Sequence, residues 1–431
     1  MVNLSENKLK ANELRKSAKY TEAASLYREL WALTNDKFDG AGLLHCLRKL
    51  ELFDEAIPLA DELIKKYSYF EWAKREIIWT YIQGILLKYD NEDNIQKVEE
   101  IANQIMNLNP ENIAKKTVVF KVLKVAKNSN NWEKVNEWIV KIEPNILSIN
   151  PSVNELGKEG WSDQSQWYNY RIRGFYEVGR YKEAIALVDE IGNQFPKQNK
   201  FFLRLKALSL SGLGRLEDAE KLYSSLCRQR PDWWMLHEYA NILKSLDKND
   251  EALIMMCKAA LACSKLQNMI SLFENIGIIC EKMYLYKEAR AHHVLCKHIR
   301  IQNGWNLPSQ LIEDISSINE ILHNENEQKT LNGAYGECKL FWNEHLSAKH
   351  VEIRDSKPKI RNNLNGKIKL GPSYQKYCFI ISEHNEAIFC YREDLPVGSN
   401  DGDKVIFDSK ASFDKKKNQE SWKACNVKKV I

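Results

Sequence analysis

No stretch of eighteen uncharged apolar residues occurs in this sequence, which excludes an ordinary membrane-spanning helix. Between Met1 and Tyr20 charges recur every few residues, and no apolar run there could act as a secretion signal. A cytoplasmic protein is the expectation. The ten cysteines include no C-x-x-C pair and no spacing suited to a zinc site, so they read as reduced and mostly buried filler. Also missing are a glycine-rich phosphate loop, an H-E-x-x-H element and a G-x-S-x-G elbow. Nothing nominates a nucleophile, and a non-enzymatic role without cofactor is expected.

What is present is 431 residues with 44% hydrophobic and 28% charged side chains, enough for two or three folded domains. The net charge of +5 is unevenly placed. From Arg354 to Ile431 there are 16 Lys and Arg against 10 Asp and Glu, or +6, which leaves about −1 for everything before. The basic excess sits in the last segment.

A phrase recurs through the first three hundred residues. It reads KYTEAA at Lys19, LFDEAI at Leu52, RYKEAI at Arg180, RLEDAE at Arg215, KNDEAL at Lys248 and LYKEAR at Leu285, with weaker copies at Asn94 and Asn131. Aligning these copies puts Ala23, Ala56, Val98, Val135, Ala184, Ala219, Ala252 and Ala289 in one column, where a neighbouring helix must pass closely. Two helical turns on, Leu30, Leu63, Ile105, Ile142, Ile191, Leu226, Ala259 and Cys296 are all apolar and share that face. Pro110, Pro196 and Pro231 fall in another common column, where proline ends the helix. Upstream, Tyr168 to Val178 and Phe202 to Leu213 precede Gly179 and Gly214, so each unit is a helical hairpin.

Spacings of 33, 42, 37, 49, 35, 33 and 37 residues separate the anchors, a period near 34 with insertions, one at Gly157 to Trp161. The array resembles the tetratricopeptide repeat (TPR) family, whose A-x-x-x-aromatic and closing proline are matched by Ala219, Tyr223 and Pro231. Such hairpins stack because none can bury its apolar face alone. The resemblance implies a superhelical solenoid whose first helices line a concave, protein-binding side. In the aligned register that side carries Asn169, Arg173, Arg204, His237, Asn241 and Lys244, donors able to clamp a carboxylate or an acidic segment. The same residues would also suit a plain solvated face.

After Ile301 the phrase stops. Leu311 to Leu322 and Ala334 to Ser347 read as helices that cap the array. From Leu364 the pattern turns to short alternating runs: GKIKL at Gly366, KYCFIIS at Lys376, AIFCY at Ala387, KVIFDSK at Lys404 and WKACNVKKV at Trp422. Five strands in so short a segment suggest a small closed barrel. In order, these segments resemble the five strands of the cold-shock domain, an OB-type fold. K-Y-C-F-I is similar to that family's second-strand motif and I-F-C-Y to its third. Tyr377, Phe379, Phe389 and Tyr391 thereby take the base-stacking positions, and alternation independently sets each pair on one face. Bases stack on such a platform while lysines track phosphates, and Lys367, Lys369, Lys376, Arg392 and Lys415 to Lys417 are available. Ile368, Cys378, Ile380, Ile388 and Cys390 would form the core behind it. Leu370, Gly371 and Cys378 depart from the family pattern, which points to weaker or narrower binding.

His293 and Cys296 lie three apart on one helical face but occupy buried repeat positions, and no acidic residue joins them at ligand spacing. Core packing is the expectation there, and no metal is expected. His384, between Glu383 and Glu386, reads as part of a turn.

The expected architecture is an all-α TPR-like superhelical solenoid at 1–303, a helical cap and linker at 304–363, and an all-β five-stranded OB/cold-shock barrel at 364–431. The expected function is a cytoplasmic adaptor. Its barrel would bind single-stranded RNA, or DNA, and its groove a protein or peptide, away from membranes, in a setting such as RNA metabolism, stress response or prokaryotic defence. The alternative is a pure interaction scaffold whose barrel docks protein or self-associates. Oligomeric state is not fixed by the sequence.

Overall fold

The computed structural model describes residues 4–90, 94–153, 156–228, 231–262, 265–323, 330–355, 360–372, 375–414 and 419–430, with side chains described outside 348–360 and 413–420. The chain divides into two compact units, Met1–Lys248 and Asn249–Ile431.

The first unit is built of helix pairs: α1 (Leu4–Lys16) with α2 (Tyr20–Thr34), α3 (Lys37–Lys49) with α4 (Phe53–Tyr67), and α5 (Glu71–Gly84) with α6 (Ile95–Asn107). There follow α7 (Asn112–Asn128) with α8 (Trp132–Ile139), α9 (Asp163–Glu177) with α10 (Tyr181–Ile191), α11 (Asn199–Gly212) with α12 (Leu216–Leu226), and then α13 (Trp233–Ser245). The insertion between α8 and α9 forms a small hairpin of β1 (Pro151–Val153) and β2 (Glu159–Ser162), which the sequence pattern did not announce. In the second unit come α14 (Asn249–Ala262), α15 (Ile270–Lys282), α16 (Tyr286–Gln302), α17 (Ser309–Leu322) and α18 (Leu331–Asp355).

Every second helix of the aligned phrase, from α2 to α16, starts at the second residue of its copy. The small-residue column, Ala23 through Ala289, is fully buried at all eight positions, because each side chain meets the packed neighbour helix. In the column two turns on, seven of the eight are buried and Leu226 is half-buried.

The hairpin turns have a common cause. The residue two before the second helix has positive φ in seven units: Ala18, Glu51, Asn130, Gly179, Gly214, Asp247 and Tyr284. The next amide then donates back to the carbonyl five residues earlier, as Lys19 does to Leu14 and Arg180 to Phe175, which closes the helix end. A left-handed backbone disfavours any residue with a Cβ by about 1–2 kcal/mol. Replacing Glu51 (φ 59°) with glycine is therefore expected to stabilise the fold by up to about 1 kcal/mol. Gly179→Ala, at φ 78° with open space around the added Cβ, should cost about as much. Chemical denaturation of the two variants should move the first transition in opposite directions, and equal shifts would refute the backbone account.

The last segment closes into a barrel of β3 (Ile360–Lys369), β4 (Tyr377–Ser382), β5 (Ala387–Tyr391), β6 (Lys404–Asp414) and β7 (Gln419–Lys429), in the order β3-β4-β5-β7-β6 with β6 returning to β3. Only the β5–β7 pairing is parallel among the described strands. Ile368, Cys378, Ile380, Ile388, Cys390, Val405, Phe407 and Ala424 fill the interior. Of the nine described cysteines, all free, seven are buried. Burial pushes the thiols of Cys46 and Cys390 up to about 12, which keeps them protonated and unreactive.

Candidate nucleic-acid interface

Strand alternation sends Cys378, Ile380, Ile388 and Cys390 into the barrel, so Tyr377, Phe379, Phe389 and Tyr391 stand on the outer face. The antiparallel register sets Tyr377 opposite Tyr391 and Phe379 opposite Phe389. Tyr377 and Phe389 lie nearly parallel at 5.5 Å and 27°, and Tyr391 meets Phe389 edge-on at 5.0 Å. Phe379 and Tyr391 remain 38% and 39% exposed. The four rings make one continuous aromatic surface, which the packed interior behind it holds in place.

A row of side chains crosses the barrel at the level of Phe379. Lys369 pairs with Phe379, Phe379 with Phe389, Phe389 with Lys423 and Lys423 with Lys410. Cations thus flank the two phenylalanines. Lys423 also holds its ammonium 4.3 Å from the Tyr391 ring centre and 3.6 Å from Asp394. The sequence reading missed Lys423 and Lys410, because the parallel pairing that brings β7 beside β5 has no local signature. Lys376 and Lys367 are exposed.

Arg392 is placed differently. Its Nη2 donates to the carbonyls of Gly371 (2.6 Å) and Pro372 (3.1 Å), so it holds the loop after β3. The Leu370 amide donates to Asp401 Oδ1 at 2.6 Å while its side chain packs against the barrel core. Lys415 to Lys417 lie outside the described residues.

The second expected surface lies on the first helices of the first unit. Asn169 and Arg173 sit one turn apart on α9, and the Arg173 guanidinium bonds Glu177 (3.1 Å) and lies 4.8 Å over Trp132. Arg204 on α11 forms a two-point ion pair with Glu238, one bond being 2.7 Å, and Glu238 also accepts from the Tyr223 hydroxyl at 2.7 Å. A partner carboxylate would therefore have to compete with Glu238 for Arg204. His237, Asn241 and Lys244 follow one another along α13, and burial lowers the His237 pKa. The buried Asn241 Oδ1 meets no hydrogen-bond donor among the described residues.

Lys124 and Lys127 on α7 were not singled out from the sequence. Lys127 is held below the usual lysine range by burial and then by the charges of Arg173 and Lys124, which defines a like-charged cluster on α7 and α9. The absence of the central alanine from that unit hid its register.

At His293 the expectation that no acidic residue joins it is corrected. The fold brings Glu281 from α15 and Asp314 from α17 to the buried imidazole, 12 and 21 residues away along the chain. Spacing within one helix carries no trace of that arrangement.

The fold is TPR-like helical repeats followed by a closed five-stranded mixed barrel. No helix among the described residues is long and apolar enough to cross a membrane. A family model described as a domain of unknown function (DUF7017) matches residues 200–337. No curated protein matches the chain. Similar solved structures include a tetratricopeptide repeat protein from Parabacteroides merdae, at 12% identity and TM-score 0.31, covering 62% of this chain and 96% of the other. The apo form of the quorum sensor NprR from B. thuringiensis is similar at 13% identity and TM-score 0.41, covering 76% and 89%. A thermophilic TPR protein of Thermus thermophilus is similar at 14% identity and TM-score 0.22, covering 56% and 98%.

Proposed function

We propose that this chain is a non-enzymatic adaptor of the reducing cytoplasm, whose barrel binds single-stranded nucleic acid, RNA before DNA, while its helical repeats hold a protein partner. The observation that carries the proposal is the outer aromatic surface of Tyr377, Phe379, Phe389 and Tyr391, bordered by Lys369 and Lys423. Exposed rings in a barrel that already has a full apolar interior are free to stack on bases, and the strand order supports the cold-shock resemblance of the segment. Lys369, Lys376 and Lys423 suit the phosphates, and Arg392 acts by holding the loop after β3. The functional division we assign is a repeat region at 1–303, a helical cap and linker from 304, and the binding barrel to 431; the barrel begins at Ile360, where β3 starts, four residues before the expected boundary at 364.

For the repeats, the positive cluster of Lys124, Lys127 and Arg173, offset only in part by the Arg173–Glu177 pair, favours an acidic segment of a partner protein. Holding both ligands on one chain raises the effective concentration of each near the other.

The test is fluorescence anisotropy of labelled single-stranded RNA and DNA with the full chain, across a salt series. Binding that weakens with salt, and that drops about 5- to 150-fold in Phe389→Ala, is expected from the loss of one base stack of about 1–3 kcal/mol. A second reading, in which the barrel docks protein or a second copy, is favoured by Leu370, whose apolar side chain packs on the core at the place where the family carries a stacking tryptophan. Failure of the folded chain to bind either strand type would leave that reading standing.

A further inference from the structure

The cluster around His293 has a composition that neither of these binding roles uses. Its imidazole is 2% exposed, on α16, with Nε2 turned toward Glu281 Oε1 at 2.5 Å. One ligand atom from each of Glu281, His293 and Asp314 lies within 4.8 Å of the others. The three come from α15, α16 and α17 of the second unit, so whatever binds them ties three helices together.

Two further features fix the group. A Cβ added at Gly277 would come 2.6 Å from the His293 Cε1, so the ring lies directly on the α15 backbone, where only glycine leaves room for it. On the other side, Gln310 Nε2 donates to Asp314 Oδ1 at 2.8 Å, which orients the carboxylate and leaves its second oxygen for another partner. A ligand oriented by a neighbour that is not itself a ligand is a recurrent feature of metal sites.

From this the geometry points to a divalent transition-metal site, Zn²⁺ first, formed by Glu281, His293 and Asp314. One imidazole nitrogen and two carboxylate oxygens suit Zn²⁺, Mn²⁺ or Co²⁺. Ca²⁺ asks for six to eight oxygens, and Mg²⁺ prefers oxygen and water ligands. Zinc bonds of about 2.0–2.2 Å to nitrogen and oxygen set tetrahedral ligand atoms roughly 3.4 Å apart, so the His293–Glu281 contact of 2.5 Å opens to admit the ion. With three protein ligands, water completes the shell. The ion replaces the direct His293–Glu281 hydrogen bond and offsets the mutual repulsion of the two carboxylates, and so pins α17 to the α15–α16 hairpin.

The experiment uses the full chain, stripped with chelator and titrated with Zn²⁺ by calorimetry, with Tm followed in parallel and Co²⁺ as the optical probe. One equivalent of Zn²⁺ per chain, a rise in Tm, and a Co²⁺ spectrum without a thiolate charge-transfer band are expected. His293→Ala should abolish the binding. Asp314→Asn, nearly isosteric at a half-buried position, should fold and weaken affinity at least about tenfold, the lower end for loss of even a supporting partner. No zinc-dependent change in Tm, a thiolate band, or unchanged affinity in Asp314→Asn would each overturn the site.

Discussion

Glu76→Ala is expected to destabilise the first unit by about 3–5 kcal/mol, because it removes the anion from a buried ionic cluster and leaves the Arg48 guanidinium without its counter-charge. Glu76, on α5, is almost wholly buried. Its carboxylate accepts from Arg48 Nη2 at 2.6 Å and Nε at 3.1 Å, from His45 Nδ1 at 3.0 Å and from Trp72 Nε1 at 3.3 Å. Burial alone would raise its pKa, yet the His45 hydrogen bond and the Arg48 charge outweigh that and hold it at about 2. Since the folded pKa lies below the ordinary 4.5, this contribution is complete above pH 4.5 and is lost as pH falls toward 2, in total about 3 kcal/mol. In repeat arrays each unit leans on its neighbours, so the loss should be local. Hydrogen exchange should quicken in α3 and α5 and leave α15, α16 and the barrel unchanged. The triple replacement His45→Leu, Arg48→Met, Glu76→Leu removes the carboxylate together with the guanidinium and the imidazole that donate to it, and should recover most of the loss, since apolar groups of similar volume can replace a buried ion pair. Unchanged exchange in α3 and α5 of Glu76→Ala would refute the account.

Much of the helical region was legible because its packing rule is strict. A helix that must approach a neighbour closely accepts only a small or β-branched apolar residue there, and the column from Ala23 to Ala289 follows that rule with six alanines and two valines. The turns were less legible. Gly179 and Gly214 gave away two of them, whereas Ala18, Glu51 and Tyr284 adopt the same left-handed conformation with ordinary side chains, sustained by the helix-closing hydrogen bonds. The β1–β2 hairpin went unread because its strands are only three and four residues long.

For the barrel, alternation assigned Tyr377 to Ile380 and Ile388 to Tyr391 to their faces, since period two is set by the backbone itself. Alternation says nothing about which strands become neighbours. Lys423 therefore stayed hidden until the parallel pairing set it opposite Phe389, 34 residues away in the chain. Arg392 illustrates the converse. Its charge and position suited phosphate, but the nearest acceptors in the fold are the carbonyls of Gly371 and Pro372. His293 needed three helices to acquire its neighbours.

Trp342→Ala should be as damaging to the second unit as Glu76→Ala is to the first, at about 3–5 kcal/mol for loss of a fully buried tryptophan. The Trp342 ring, on α18, stacks on Phe273 at 5.5 Å and 6°, and its Nε1–H donates to His292 Nε2 at 2.7 Å. His292 in turn donates from Nδ1 to the Glu288 carbonyl at 2.6 Å, so both ring nitrogens are engaged only when the imidazole is neutral. Burial, more than any neighbour, drives its pKa down to about 4 from 6.5. Between those values the unfolded chain binds the proton that the folded chain refuses. The stabilisation is thus complete above pH 6.5 and lost as pH falls to 4, in total about 3 kcal/mol. This window lies above that of Glu76, so acid should loosen the two units in order. At pH 5, amides of α16 and α18 should exchange faster than at pH 7 after correction for intrinsic rates, while those of α3 and α5 hold. The double replacement His292→Phe, Trp342→Phe removes both polar atoms together, and it should flatten the response between pH 6.5 and 4. A slope that survives in that variant would place the acid-sensitive group elsewhere in the unit.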